Sequence, residues 1–213
     1  MLKGVKWQKV DTEEAAEKYD ISTASNDSVD LDDLGEPPEE FLVFKGNVKL
    51  AGAHSYGETV KEDPDTFTVC VIDGDLEVDG PFTFHSSDIY NVLYVTGSMT
   101  VKSLVCEWDC HLFVGKSLAV KDTLLTNLTD AGHLVVRGAL SAEAWIECMG
   151  RGCIEFGKKP KVRYIRDENA DEDEDAPKAQ SAQKVLLPGF FEDGELDSEK
   201  LATAIQKGKP IFR

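Results

Sequence analysis

The chain has 213 residues, of which 41% are hydrophobic and 30% are charged, and its formal net charge is −17. This acidic balance argues against a nucleic-acid partner, because phosphate binding needs clustered lysine and arginine side chains. No apolar run approaches the roughly 20 residues of a membrane span, so we expect no membrane partner. The start of the sequence lacks a signal-peptide pattern, and the number of cysteines, five, is odd. We therefore expect a cytoplasmic protein with free thiols.

The negative charge is concentrated at two places in the sequence. Residues 1–40 hold 12 acidic and 4 basic residues, and residues 167–175 hold 7 acidic residues and no basic one, which leaves a formal charge of −2 for the rest. Complementary charge speeds the encounter of protein partners. The sequence therefore favours a basic protein partner.

The first 40 residues are predicted to form an acidic N-terminal cap followed by a loop. Residues 11–20 fit a short helix with Asp11 or Thr12 as N-cap and with Glu13 and Glu14 in the first turn. Such a helix is expected to cover the open end of the structure that follows, because uncovered sheet edges invite aggregation.

Residues 41–166 contain a repeat built around six corner positions, which are Gly46, Gly74, Gly97, Lys116, Gly138 and Lys158. The residues two and four positions before and after each corner are apolar throughout. Four positions before it stand Leu42, Cys70, Leu93, Leu112, Leu134 and Ile154. Two positions after it stand Val48, Leu76, Met99, Leu118, Leu140 and Pro160. Apolar residues at every second position indicate strands with one buried face.

A spacing of about twenty residues between such units is typical of a solenoid, in which stacked units bury a shared apolar ladder. The fold class predicted is all-β, a single-stranded parallel β-helix of about six coils. Leucine-rich repeats and strict hexapeptide helices do not fit, and the uneven coil lengths favour right-handed winding.

The residue three positions before each corner should point outward, yet this column is also apolar. It consists of Val43, Val71, Tyr94, Phe113, Val135 and Glu155. An exposed apolar stripe usually marks a contact. Two explanations follow: either the C-terminal segment 184–213 packs over the stripe, or the stripe, through Val71, Tyr94, Phe113 and Val135, binds a partner or a second copy of the chain.

Two short stretches place an aromatic side chain beside carboxylates, as expected for the contact centre of a basic partner. One is Glu107, Trp108 and Asp109, and the other is Asp88 with Tyr90. The alternative for Trp108 is that it packs over the edge of a coil.

No catalytic, metal or cofactor site is predicted. Cys106 and Cys110 fit zinc-ligand spacing only loosely, and Cys148 and Cys153 are one residue too far apart. Cys110 and His111 could suggest a nucleophile and its base, but neighbouring strand residues point to opposite faces. The sequence also has no phosphate loop, nucleophile elbow or dinucleotide fingerprint.

The chain is predicted to continue with a disordered acidic linker, residues 167–183, and a C-terminal docking segment, residues 184–213. In this segment Asp197 should cap a helix that carries Leu201 and Ile205 and ends at Gly208. The sequence leaves open whether the segment docks on its own chain or on another.

Two families resemble this sequence. The pattern Val71-Ile72-Asp73-Gly74-Asp75-Leu76-Glu77-Val78-Asp79-Gly80 resembles bactofilins, which polymerise end to end as bacterial scaffolds. The acidic stretch, Leu196–Leu201 and Gly208–Ile211 resemble the ends of a group of bacterial β-helix proteins, some of which are immunity proteins of polymorphic toxin systems.

The resemblance to the second family implies a non-enzymatic protein-binding module that neutralises a basic bacterial toxin domain through an acidic surface bearing aromatic side chains. The alternatives are a self-assembling bactofilin-like scaffold and, third, a β-helix carbohydrate-active enzyme.

Overall fold

A computed structural model of the protein describes residues 2–21, 37–57, 66–87, 91–167 and 178–213. It is mostly β, with 56% of residues in strands, and its repeating part is a β-solenoid of about four turns. The predicted all-β solenoid is confirmed at this level. The count of six coils and the helical caps go beyond it and stay predictions.

The described strands are β1 (Gln8–Val10), β2 (Glu40–Lys45), β3 (Val48–Ala51), β4 (His54–Gly57), β5 (Thr68–Asp73), β6 (Leu76–Ser86), β7 (Asn91–Val95), β8 (Met99–Trp108), β9 (His111–Val114), β10 (Leu118–Val120), β11 (Thr123–Leu128), β12 (His133–Glu147), β13 (Cys153–Arg166), β14 (Gln180–Ser181), β15 (Phe191–Glu192) and β16 (Glu195–Leu196). The helices are α1 (Thr12–Lys18), α2 (Ala182–Val185) and α3 (Ser198–Gln206), with a 3-10 turn at Pro188–Phe190.

The solenoid has three faces made of parallel strands. The first face contains β2, β5, β7, β9 and the starts of β12 and β13. The second contains β3, β10 and the adjoining parts of β6, β8 and β12. The third contains β4, β11, β14 and the ends of β6, β8, β12 and β13.

The pairing register is the one that the corner spacing predicts. Leu93 lies beside Leu112 and Leu112 beside Leu134, each on the neighbouring strand. The whole first ladder pairs in this way, through Leu42, Cys70, Leu93, Leu112, Leu134 and Ile154. Because these side chains point inward, they form one continuous apolar interior in which Leu93, Leu112 and Leu134 have no exposed surface. Burying each such side chain stabilises the fold by about 2 kcal/mol.

The corner glycines allow one coil to lie directly on the next. At Gly97 the backbone N–H donates to Gly74 O at 2.9 Å, and a Cβ added there would lie 2.5 Å from that same oxygen. The polar residue after Gly74 adds to this contact, since Asp75 Oδ1 accepts from the Ser98 N–H at 2.8 Å. At Gly97 the stacked coils are therefore held by backbone and side-chain hydrogen bonds where a Cβ would force them apart.

The outer surface of the first face is covered by the N-terminal segment. Ala15, Tyr19 and Ile21 belong to the same buried cluster as the predicted outward column. The expectation that this column faces solvent is therefore wrong, and so is the expectation that residues 184–213 cover it. The physical reason is that α1, with Asp11 as its N-cap, presents an apolar side that packs on this face and not on the open end of the first coil.

The start of the chain covers the first coil in a different way. The strand β1 pairs antiparallel with β2, and Leu2, Val5 and Trp7 add to the interior cluster. The edge of the first strand is thus occupied by the chain itself.

The outer surface of the third face is covered by the C-terminal segment. Leu201 and Ile205 of α3 pack with Val105, Leu125 and other apolar residues that point outward from the third face. The predicted helix is present: Asp197 accepts from the Lys200 N–H at 2.8 Å, and Gly208 adopts a left-handed φ of 60° just beyond its end. Docking therefore occurs within one chain.

The predicted linker 167–183 overlaps regular structure. Gln180 and Ser181 form β14, which continues the third face beside Ile165 and Arg166, and α2 begins at Ala182. Residues 168–177 lie outside the described part of the chain. Among the described residues, no helix is long and apolar enough to cross a membrane.

Candidate functional site

Four of the predicted partner-binding residues lie on the outer first face and are buried. Val71, Phe113 and Val135 have no exposed surface, and Tyr94 is 5% exposed. The Phe113 ring also stacks on His133, with ring centroids 6.1 Å apart. These side chains belong to the buried cluster that also contains Ala15, Tyr19 and Ile21 of the N-terminal segment, so they offer no surface to a partner. The predicted contacts Asp88 and Tyr90 lie outside the described residues.

Trp108 is the exception, because its side chain projects into solvent. It is 50% exposed and has a left-handed φ of 63°, a conformation that costs a bulky residue about 1–3 kcal/mol. The surrounding backbone holds it there: the Asp109 N–H donates to Ser86 O at 2.8 Å, and the Thr129 N–H donates to Trp108 O at 3.3 Å. An exposed indole in a strained conformation is the pattern expected of a binding residue.

The two carboxylates beside Trp108 are both engaged within the protein. Glu107 is 7% exposed, and its Oε2 lies 3.4 Å from His85 Nδ1. Asp109 accepts a hydrogen bond from the Thr129 hydroxyl. The His85 ring lies 5.9 Å from the Trp108 ring, centroid to centroid. The structure therefore brings these three predicted residues to one place but leaves only the indole prominently exposed.

Trp108 borders a groove between the end of the third face and the C-terminal segment. We call this the Trp108 groove; its volume is about 310 Å³, and the described residues that line it are Trp108, Asn127, Thr129, Cys148, Met149, Asp167, Leu196 and Ser198. Met149, at 39%, is the other large hydrophobic side chain that is exposed among the described residues. The groove depends on the docked tail, because Leu196 and Ser198 form one of its walls.

The Trp108 groove is lined by polar as well as apolar side chains, and its charged lining residue among those described is Asp167. Asn127 Nδ2 donates to Ser198 Oγ at 3.1 Å, which joins the third face to the start of α3. Burial, followed by the nearby carboxylates of Asp167, Glu107 and Glu147, raises the pKa of the Cys148 thiol well above its ordinary value. Burial opposes a charge of either sign, so any preference of the groove for a cation rests on the carboxylate of Asp167 in its lining.

A second polar cluster lies inside the last coils. The Tyr164 hydroxyl donates to the Glu147 carboxylate, and Arg166 Nε lies 4.0 Å from Glu147 Oε2. Trp145 Nε1 donates to Thr126 Oγ1 at 2.9 Å. These residues belong to the inward rows of the third face and close the interior with hydrogen-bonded polar groups, whereas the groove lies on the outside of that face.

Of the cysteine and histidine pairs considered from the sequence, Cys106 and Cys110 lie together in the solenoid interior, whereas the members of the other pairs pack in different places. Cys110 lies in the solenoid interior, while the Nδ1 atom of His111 lies 2.9 Å from that of His133. Cys148 packs beneath the C-terminal segment and Cys153 packs against the cluster on the first face. In the described part of the chain, no group of three or more His, Cys, Asp or Glu side chains could hold a metal ion.

Of the residues that line the groove, the sequence predicts only Trp108 as a partner contact; Asn127, Thr129, Met149, Asp167, Leu196 and Ser198 are not predicted as such. Asp167 was assigned to the linker because it begins an acidic run. The backbone shows otherwise: the Asp167 N–H donates to Glu147 O at 3.1 Å, so this residue continues the third face. An exposed methionine after a strand, at Met149, was the feature in the sequence that could have indicated a contact surface.

The chain matches no protein-family model, no curated protein sequence and no solved structure. The likeness to bactofilins and to immunity proteins therefore stays a prediction.

Proposed function

We propose that this protein is a non-enzymatic protein-binding module that engages a basic protein partner at the Trp108 groove. The observation that carries the proposal is the half-exposed indole of Trp108, held in a strained backbone conformation at the rim of a groove that Asp167 also lines. Tryptophan is enriched among the residues that dominate binding energy at interfaces, and such residues occupy central pockets.

The net charge supports a basic partner. At −17 the chain attracts positively charged proteins and speeds their encounter at low ionic strength. The neutralisation of a bacterial toxin domain in the cytoplasm is the specific form of this proposal that the sequence resemblance suggests.

The finer architecture belongs to the same proposal. From the corner spacing we infer six coils wound in a right-handed sense, with the terminal segments acting as covers. A self-assembling scaffold is a weaker alternative, because β1 already occupies the edge of β2 to which another copy would have to add. No observation in the described residues favours a carbohydrate-active enzyme.

Co-expression with the product of the neighbouring gene, followed by affinity capture through a tag on this chain, tests the proposed function. We expect a complex that survives washing and is weakened at least tenfold by Trp108→Ala. The control is Thr100→Ala on the polar second face, which should leave the complex intact. A complex that is equally stable with Trp108→Ala would show that the groove is not the binding site.

A further inference from the structure

The walls of the Trp108 groove match one kind of side chain. Trp108, Met149 and Leu196 supply apolar surface, whereas Asp167 supplies a carboxylate. Its volume of about 310 Å³ is at the lower limit of the range for ligand sites. A site of this size accommodates a single long side chain and not a larger element of a partner.

The charge of the groove selects a cation. Asp167 is 9% exposed, and it is the charged side chain among the described residues that line the groove. A carboxylate has about four lone-pair sites, so Asp167 can accept additional hydrogen bonds while keeping those it already makes. A partner's cationic head is therefore stabilised where an anionic one is repelled.

Arginine fits these walls better than lysine does. A guanidinium is planar, weakly hydrated and able to stack on an indole, and it forms two parallel hydrogen bonds with a carboxylate. A lysine ammonium is a strongly hydrated point charge, so the removal of its water by apolar walls costs more free energy than it does for a guanidinium. We propose that the Trp108 groove binds an arginine side chain of the protein partner, with the guanidinium between the indole of Trp108 and the carboxylate of Asp167. This inference rests on the proposed function, because it names the part of the partner that the site holds.

The test uses the full chain and three short probes, N-acetyl-Gly-Arg-Gly-amide and its lysine and citrulline counterparts. Citrulline has nearly the shape of arginine but no charge. Binding is followed by the NMR shift of the Trp108 indole N–H, assigned with Trp108→Phe. We expect the arginine peptide to bind at least fivefold more tightly than the lysine peptide and at least tenfold more tightly than the citrulline peptide.

Three variants locate the contact. Asp167→Asn should weaken the binding of the arginine peptide at least tenfold. Met149→Ala, at an exposed position that tolerates truncation, should weaken this binding about threefold. Glu143→Gln, at the exposed corner between the second and third faces, is the matched control, since it removes the same charge, and it should have no effect. Equal binding of the three peptides, or an equal loss in the control, would overturn the inference.

The two proposals fail in distinguishable ways. If the captured partner depends on Trp108 but the arginine peptide does not bind, the arginine inference is wrong and the binding function stands. If a partner binds equally well after Trp108→Ala, both are wrong.

Discussion

The outer first face and the outer third face of the solenoid carry the same kind of sequence pattern, yet they are covered in different ways. Both present apolar side chains outward, and both are covered by a terminal segment of the chain. The first is covered by α1, a helix of seven residues whose described apolar contacts are few. The third is covered by an amphipathic helix of nine residues, whose apolar side is buried, together with Leu186, Phe190 and Ile211.

The difference teaches that two kinds of interaction hold the covers in place. On the first face, a polar contact anchors α1: the Tyr19 hydroxyl donates to Asp73 Oδ2 at 2.9 Å, and Lys18 Nζ lies 3.2 Å from the same atom. On the third face, burial of apolar surface dominates, and the margin of the cover forms the Trp108 groove. The first cover completes the fold, whereas the second also builds the candidate site.

The largest effect is expected from shortening the side chain of Leu201, which belongs to the cover of the third face and has no exposed surface. Leu201→Ala should lower the free energy of unfolding by about 3 kcal/mol, because it removes a buried side chain and leaves a cavity. Urea denaturation measures the change. The control is Leu187→Ala, in the same segment at a half-buried position, where we expect the free energy of unfolding to fall by about 1 kcal/mol. Equal decreases for the two variants would contradict the conclusion that burial of α3 dominates the stability of this cover.

The same substitution should open the third face locally. Cys148 lies beneath this cover, whereas Cys70 lies in the solenoid interior. If opening of the cover exposes Cys148, Leu201→Ala should speed its alkylation about 100-fold, the factor that corresponds to about 3 kcal/mol. Peptide mapping by mass spectrometry follows each thiol separately.

The pH dependence of this labelling has a definite sign. The pKa of the native Cys148 thiol is raised above the ordinary value of 9.0, so any labelling of the native form should keep rising with pH beyond 9. If Leu201→Ala accelerated the alkylation of Cys70 and Cys148 equally, the whole fold would be opening and the cover would not be a separate unit.

A smaller effect is expected at the polar anchor of the first face. Asp73→Asn should cost about 1.5 kcal/mol near neutral pH, because it weakens charge-assisted hydrogen bonds from Tyr19 and Lys18 at a partly exposed site. Partial burial raises the pKa of Asp73, but these hydrogen bonds outweigh it and the net direction is down from 3.8.

Because the folded-state pKa of Asp73 is depressed, its contribution is present above 3.8 and is lost as the pH falls through the lower folded value. The difference between wild type and Asp73→Asn in urea denaturation should therefore shrink in acid. The control is Asp79→Asn at an exposed position, which should change the free energy of unfolding little at any pH. If the stability difference between wild type and Asp73→Asn persisted at low pH, a role for the charge of Asp73 would be ruled out.

The smallest effect concerns the strained residue at the groove. Since a Cβ is disfavoured at a left-handed φ, Trp108→Gly should be more stable than Trp108→Ala by about 1 kcal/mol. At Met149, where φ is not positive, the order should reverse. Thermal unfolding of the four variants measures both differences. The same order at both positions would mean that the backbone at Trp108 is not strained.

The interior of the solenoid could be predicted because it depends on local alternation. Inward residues repeat at every second position, and the stacking of coils sets them in register, so the ladder from Leu42 to Ile154 could be aligned without coordinates. The outward column was identified as apolar, but its cover was assigned to the wrong terminus. The alternation gives no information on which distant segment packs against a given face.

The candidate site could be predicted only in part. Trp108 and its neighbouring carboxylates were identified from their composition, and the structure shows the indole exposed. Met149, Asp167 and Leu196 could not be grouped with it, because they are brought together by two coils and a docked tail that are far apart in sequence.

By itself, then, the sequence determined the repeating strand pattern, the coil register and the two terminal helices, since each of these follows from contacts between residues at regular spacing. Tertiary structure decided which terminus covers which face and where a groove remains between them. The reason is physical: apolar burial is non-directional, so a helix with an apolar side fits more than one apolar face, and only the complete packing selects among them.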